Sequence, residues 1–600
     1  MRVTRRIRRA DPICLLRSVG KSINIFYILN LYMKVVIVGA GVAGLSAATM
    51  LCEIQGIQVE IYEKEDYIGG QMSSMYTDKC NVEHSWRVFN TNYHNLWYIF
   101  SKLGILENFT ELKKNCVVKK GECSSLDILA ENFEAHMLKS VSPFDYHKYF
   151  DMLFRCKERN ISEYDNISAY DYFNGNKFLK LLLGPYAGLE PKKVSLSGIF
   201  KNMYSLFESK NYGYGPRTKT DFHGIGFITK IPTNDAIFDK WEKYLVEKKV
   251  KIFKKSYLRD IDIENNQINS IVINNNKVEA DEFIMSLSLS DMNKIIQKKD
   301  LPSSFKLEMN TLEKNNLQLY FTFNLYFAKK LLLDCETFTL LEEPWSPVIQ
   351  RKVYWPKQIL DNCYSKKKES IKEVWNVGLL DYFEGKNKKI LSDCSLEEAI
   401  EEGIRQIKEN EYVQSVFKLN NTSFEDCFID YESFETFKNV NNKLIDTNPK
   451  YSVNVGTLKN TPKTHPESLP ENMYLSGYYV DNTYGGATME SSCITGLNAA
   501  QMIITKHNLK YLDILPFKHD NEIALNRFYF LYPFQLLDKV LFYFDLPPVT
   551  NFVNSFCLMV FLIVVISSFI IYIIFIISKH LYFHIKKRKI FQFKIKKNKV

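Results

Sequence analysis

The sequence predicts an α/β fold: a parallel-sheet domain interleaved with a mixed α+β domain and followed by one C-terminal transmembrane helix. Three observations predict it. An apolar run, Val35 to Val38, ends in Gly39-Ala40-Gly41-Val42-Ala43-Gly44 and leads into a helical pattern and a second strand, Gln58 to Tyr62. Strand patterns return only far downstream, at Val250–Phe253, Tyr257–Ile263, Ile268–Ile273, Glu282–Ser286 and Met473–Gly477. Finally, Phe556 to Ser578 is 23 residues without a charge.

The first unit carries the chemistry. G-x-G-x-x-G at a strand-to-helix turn is the dinucleotide fingerprint of a Rossmann-like domain. Gly39 serves the tight turn, Gly41 lets backbone approach a pyrophosphate, and Gly44 lets helix and strand pack closely. The helix, expected over about Val42 to Gln55 with Gly56 to stop it, points its positive end at that phosphate. Glu63, closing the second strand, is placed for an adenosine ribose. Gly69-Gly70, six residues past the acid, offers a further close approach of backbone to the nucleotide.

Charge excludes one class of partner. The net charge is +10, but seven basic residues against Asp11 in residues 1–33 and nine against no acid in 579–600 leave the body at −5. Nucleic-acid binding by the body has no electrostatic support. The twelve cysteines form no C-x-x-C pair, which predicts free thiols and neither zinc nor a redox dithiol. No metal-ligand spacing and no Ser-His-Asp pattern stands out.

In chain order, residues 1–32 form a basic extension with three readings: an upstream extension of the reading frame, a mitochondrial-type presequence, or a membrane-surface arm. Residues 33–510 are the body, with nucleotide-binding parts at about 33–90, 245–295 and 450–505 and substrate or cap parts at about 91–244 and 296–449. From 105 to about Tyr244 the pattern is mostly helical; Leu317–Phe327 alternates like a strand, and Leu396–Lys408 is helical. Residues 511–555 read as an aromatic-rich, membrane-proximal linker, 556–578 as the span and 579–600 as a basic tail. A 23-residue helix is about 35 Å long, enough for a hydrocarbon core of about 30 Å. The expected protein is single-pass, anchored at its C-terminus with its body in the cytosol, although the basic tail pulls toward the opposite facing.

Three separated segments resemble one family, the FAD-dependent oxidoreductases that include flavin amine oxidases, phytoene desaturases and hydroxysqualene dehydroxylases. They are VVIVGAGVAGLSAA with Glu63, the Glu63-x5-Gly69-Gly70 pattern, and YLSGYYVDNTYGGATMESSCITGLNAA. The resemblance implies FAD rather than NAD. It places Gly39, Gly41 and Gly44 at the pyrophosphate, Glu63 at the ribose and Leu258 in the strand whose backbone meets adenine, with Ala40, Gly69, Gly70 and Gly477 as further cofactor-binding positions. Thr488 and Met489 face the pyrimidine end of the flavin ring. Two positions depart from the family: Gln71 stands where Arg usually follows the glycine pair, and Tyr478 stands where an acid usually follows Gly477, which leaves two readings, Asp481 three residues on as the replacement or no such contact.

No catalytic side chain is assigned. His84 and Arg87 are either near the flavin edge or a structural pair. Cys493 reads as buried core rather than a flavin attachment, and Trp345 and Trp355 as aromatic core. The resemblance implies hydride transfer from a hydrophobic, isoprenoid-like substrate to flavin. An amine oxidase is the alternative, although Thr488 stands where that branch commonly has Tyr; a non-catalytic flavin-binding scaffold is a third. The electron acceptor is not specified.

Overall fold

The computed structural model describes residues 33–76, 81–85, 87–112, 115–119, 122–125, 151, 154–173, 192–198, 216, 226–333, 335–352, 355–364, 371–381, 383–482, 484, 488–509 and 532–548. The elements that matter for the site are β1 (Met33–Val38), α1 (Val42–Leu51), β2 (Ile57–Tyr62), α2 (His94–Leu103), α3 (Lys157–Tyr164), β3 (Lys251–Phe253), β4 (Glu282–Met285), β5 (Met473–Leu475), α4 (Met489–Lys506) and α5 (Tyr532–Tyr543).

Four distant stretches of chain build one sheet. Its order is β3-β2-β1-β4-β5, and every pair is parallel. Val35 to Val38, Ile61, Phe283, Ile284 and Leu475 are at most 2% exposed, as expected of a parallel sheet covered on both faces. α1 and α4 cover one face together. They touch so closely that a Cβ on Gly496 would stand 2.0 Å from the Ala43 carbonyl oxygen.

The second sheet has seven strands in the order Phe428–Ser433, Tyr320–Phe327, Glu373–Leu380, Val348–Arg351, Thr337–Leu340, Asn115–Lys119, Glu122–Ser125. Alternation decides its two faces. Phe321, Phe323, Leu325 and Phe327 enter the core under the helices Leu396–Glu409 and Glu411–Leu419. The opposite face turns polar groups to the nucleotide domain: the Thr322 hydroxyl donates to the His84 carbonyl, and the Asn324 amide to that of Glu83 at 3.4 Å.

Several expectations shift. α1 ends at Leu51 rather than Gln55, and Gly56 (φ +87°) closes the turn after it instead of ending the helix. Among the described residues of the cap region, strands stand where a helical pattern was expected. Phe109–Glu111 and Gly226–Thr229 pair with each other, and Asn115–Lys119 joins the second sheet beside Thr337–Leu340. An extra strand, Asn276–Val278, follows the asparagine turn. α5 lies inside the stretch expected to be linker, because Asp538 anchors it to α3.

Among the described residues no helix is long and apolar enough to cross a membrane, and the expected span Phe556–Ser578 lies outside them, as do residues 1–32 and 579–600. Cys52, Cys116, Cys156, Cys335, Cys394, Cys427 and Cys493 are free thiols.

Candidate functional site

The three fingerprint glycines are glycine for different reasons. Gly39 has φ +103°, and a Cβ there would lie 2.3 Å from the Ser286 carbonyl oxygen at the end of β4. A Cβ on Gly44 would lie 2.1 Å from the Gly39 carbonyl oxygen. Both are dictated by the protein itself. Gly41 is not: its backbone is extended (φ −74°, ψ 177°), and the nearest atom to a Cβ is the Gly70 Cα at 3.9 Å. Room is left beside it. It is also the N-cap of α1, which has neither a side-chain cap nor an acid in its first turn. An open helix N-terminus at the carboxyl edge of a parallel sheet is a place for an anion.

The second glycine pair comes to the same spot. Gly69 bridges to Gly41, and its N–H donates to the Ala40 carbonyl at 2.8 Å. Gly70 has φ +58°, and a Cβ there would approach the Gly41 Cα to 3.1 Å. Two loops that the sequence keeps apart thus form one backbone-lined cradle.

Glu63 closes its far side. One carboxylate oxygen accepts the Ala40 N–H at 2.7 Å and the other the Glu65 N–H at 3.0 Å. Burial raises its pKa and those two N–H groups oppose the rise. Each oxygen keeps acceptor capacity for a ribose hydroxyl. The strand Leu258–Glu264 starts beside it, since Ser256 N–H donates to the Glu63 carbonyl at 2.8 Å, and Leu258 is buried.

Gln71 reaches toward the second domain. Its side-chain amide donates to Asn448 Oδ1 at 2.7 Å and to the Pro449 carbonyl at 3.2 Å, linking the cradle to the second domain. Arg87 braces this loop from beneath, donating to the carbonyls of Gln71 (3.2 Å) and Ser73 (3.0 Å). Its other nitrogen pairs with Glu83. Burial pushes the Glu83 carboxyl up, but Arg87, Lys352 and Thr233 outweigh it and leave the group below its ordinary range. His84 contacts Arg87 at 3.4 Å, and burial and that guanidinium push it down to about 3, so it is neutral at pH 7.

Gly477 follows β5 with φ +138° and donates its N–H to Thr495 Oγ1 at 3.0 Å. Just before it, Ser476 meets Ser286 hydroxyl to hydroxyl at 2.5 Å, next to Gly39. Asp481 is exposed, and its N–H donates to the Pro462 carbonyl. Thr488 caps α4 by accepting the Ser491 N–H at 3.1 Å, and half-buried Met489 opens that helix. Residues 485–487 lie outside the described residues. Cys493 is fully buried, which pushes its thiol well up; Trp345 and Trp355 are buried too, donating to the carbonyls of Phe383 and Thr229.

Three groups were given no role by sequence reading. The Glu490 carboxylate is buried and accepts Asn95 N–H (2.9 Å), Leu96 N–H (3.0 Å) and the Asn95 amide (2.7 Å), so it caps the N-terminus of α2. Lys450 follows Pro449, and its ammonium stands 3.6 Å above the Tyr320 ring. Burial and Arg87 lower it to about 7. Lys352, buried against Glu83 and Arg87, is lowered to about 8 by burial.

The comparisons agree with this geometry. Residues 37–103 match the family model of the NAD(P)-binding Rossmann-like domain. A zeta-carotene desaturase of Capsicum annuum is 39% identical over 98 residues, which are 16% of this chain and 16% of the relative. The match therefore spans about a sixth of that relative's length. Among solved structures, an oxidoreductase from Methanosarcina mazei aligns with TM-score 0.55 at 14% identity, covering 78% of this chain and 100% of that one. Wild-type putrescine oxidase bound to putrescine aligns with TM-score 0.53 at 13% identity, covering 79% and 99%. The family model marks a dinucleotide-binding Rossmann-like domain at the start of the body, and the solved structures share the fold over most of the chain.

Proposed function

We propose that this chain is a membrane-anchored, FAD-dependent oxidoreductase acting on a hydrophobic, isoprenoid-like substrate. The observation that carries the cofactor is the room beside Gly41, bounded by Gly70 and backed by an uncapped helix end. Gly39, Ala40, Gly41, Gly44, Gly69 and Gly70 would hold the pyrophosphate, Glu63 the ribose and Leu258 the adenine. Gly477, Asp481, Thr488 and Met489 would serve the ring end. Gln71 enters through its link to Asn448, fixing the second domain against the cradle.

Bound FAD supplies the hydride acceptor. The chain's own part is to position substrate and exclude water, which needs no acid or base pair. The N-terminus of α4, led by Thr488, favours negative charge beside it by about 0.3 to 2 kcal/mol.

The likeness to zeta-carotene desaturase supports a long apolar substrate. The fold of putrescine oxidase supports the amine alternative, against which Thr488 argues. The anchor is Phe556–Ser578, with the body in the cytosol.

Anaerobic flavin bleaching tests the reading on the purified full chain. Polyprenyl lipids should bleach the oxidised-flavin absorbance at ordinary enzyme rates, whereas amines should not. Bleaching by amines alone would move the assignment to amine oxidation; bleaching by neither would leave a scaffold.

A further inference from the structure

α5 is amphipathic the wrong way round for a helix in water. Leu536, Leu537, Val540, Tyr543 and Phe544 recur at helical spacing and are 52%, 48%, 48%, 84% and 65% exposed. The charge lies on the inner face instead: Asp538 is fully buried, accepting the Arg159 Nε at 3.0 Å and the Cys156 N–H at 2.8 Å. Arg159 also donates to the Leu546 carbonyl at 2.8 Å and stands 5.1 Å from the Phe542 ring, so one guanidinium holds both the middle and the end of α5. Phe534 packs edge-on against Phe154 at 5.0 Å on that inner side. Lys539, at the flank, pairs with Glu158 of α3 at 2.8 Å.

A helix held by a buried ion pair, with a broad apolar face turned away from the protein, fits an apolar exterior. The sequence says which one. Eight residues after Pro548 comes the uncharged stretch Phe556–Ser578, followed by nine basic residues. We propose that the outer face of α5 lies in the lipid of the bilayer, and that the Asp538–Arg159 pair fixes the angle at which the body rests on it.

The orientation reaches the cradle through a short path. α3 runs into Asp165, whose carboxylate accepts the Leu458 N–H at 3.2 Å and whose carbonyl accepts that of Gly456 at 2.7 Å. That loop follows Lys450 and Tyr451, and Tyr451 packs on Tyr478 beside Gly477. A substrate dissolved in lipid would meet the body on the side nearest the Asp165–Leu458 contact.

The inference rests on the anchor in the proposed function, so its test separates the two. The full chain, reconstituted in palmitoyl-oleoyl phosphatidylcholine vesicles, carries a nitroxide at Leu537→Cys, Val540→Cys or Phe544→Cys, with Lys418→Cys as the water-facing control. Signal from the unsubstituted chain is subtracted, and retained flavin absorbance certifies folding. Collisions with oxygen should exceed those with a neutral nickel complex at the three α5 positions, with the reverse order at 418. Nickel exceeding oxygen at all four positions overturns the proposal. So does a label that neither reaches, because another part of the chain then covers the face. Alkaline carbonate extraction reads the anchor independently: a chain that washes off, yet had its α5 labels in lipid beforehand, loses the anchor and keeps the surface.

Discussion

Replacing Gly39 and Gly41 one at a time by alanine separates the two reasons for which a nucleotide loop contains glycine. At Gly39 the methyl group meets the Ser286 carbonyl oxygen at 2.3 Å, and the residue keeps φ +103°. Left-handed strain of about 1–2 kcal/mol and overpacking of about 1–3 kcal/mol give a loss of roughly 2–5 kcal/mol, with or without cofactor. At Gly41 the methyl group touches only the Gly70 Cα at 3.9 Å, and φ is an ordinary −74°. Stripped of flavin, Gly41→Ala should stay within about 1 kcal/mol of the parent, the cost of a poorer N-cap residue. The same methyl group intrudes where the pyrophosphate would lie, and an overpacking cost of about 1–3 kcal/mol weakens FAD binding by about fivefold to about 150-fold. Urea unfolding of the flavin-free proteins and fluorescence titration with FAD read the two quantities. A Gly41→Ala protein that unfolds as easily as Gly39→Ala, or binds FAD as tightly as the parent, would refute the placement of the cradle.

Three other outcomes follow from buried groups. Glu490→Gln removes one acceptor from the cap of α2 and should cost about 1.5–3 kcal/mol in urea unfolding, as expected for hydrogen bonds to a charged group; an unchanged midpoint would deny the cap. Lys352 has its folded pKa lowered to about 8 from 10.5, so above pH 8 the unfolded chain binds the extra proton and folding gains stability as pH rises. Relative to Lys352→Met, the parent should therefore gain up to about 1.4 kcal/mol per pH unit between about pH 8 and 10.5, and a difference flat with pH would contradict the burial. Glu373→Gln breaks a buried pair with Arg351, which also donates to the carbonyls of Leu331, Leu333 and Cys335, and should cost about 3–5 kcal/mol; hydrogen exchange in Glu373–Leu380 and Val348–Arg351 reports it.

What was legible in the sequence was local. The β1–α1–β2 unit could be read because its glycines act on neighbours a few residues away, and β4 and β5 because short apolar runs bounded by turns announce strands. Asn115–Lys119 was hidden inside a region that looked helical: it pairs locally with Glu122–Ser125, but the strand that joins it to the sheet, Thr337–Leu340, lies more than two hundred residues on. Glu490 could be seen as part of a segment, but its role depends on α2, almost four hundred residues earlier. Lys352 and Lys450 are ordinary in a chain with 78 basic residues until the fold removes water from them. Asp538 lies in a stretch read only as a linker, and its burial sets which side of α5 faces out. Side chains that work across domains leave no spacing to read.

The way the parallel sheet is drawn from four stretches of chain also sets an order of events during synthesis. β1 and β2 are complete when residue 62 emerges, but β5 waits until residue 475, and α4 until 506. At about 5–20 residues per second, the 413 residues between β2 and the end of β5 take roughly 20–80 s to make. Until residues 282–285 appear, one edge of β1 has no partner strand. For the whole of that interval the nascent chain carries an unfinished sheet edge, which other chains could join. The open edge lies first on β1 and, once residues 282–285 have paired with it, on β4 until β5 arrives, and the candidate site lacks its last helix until α4 is made.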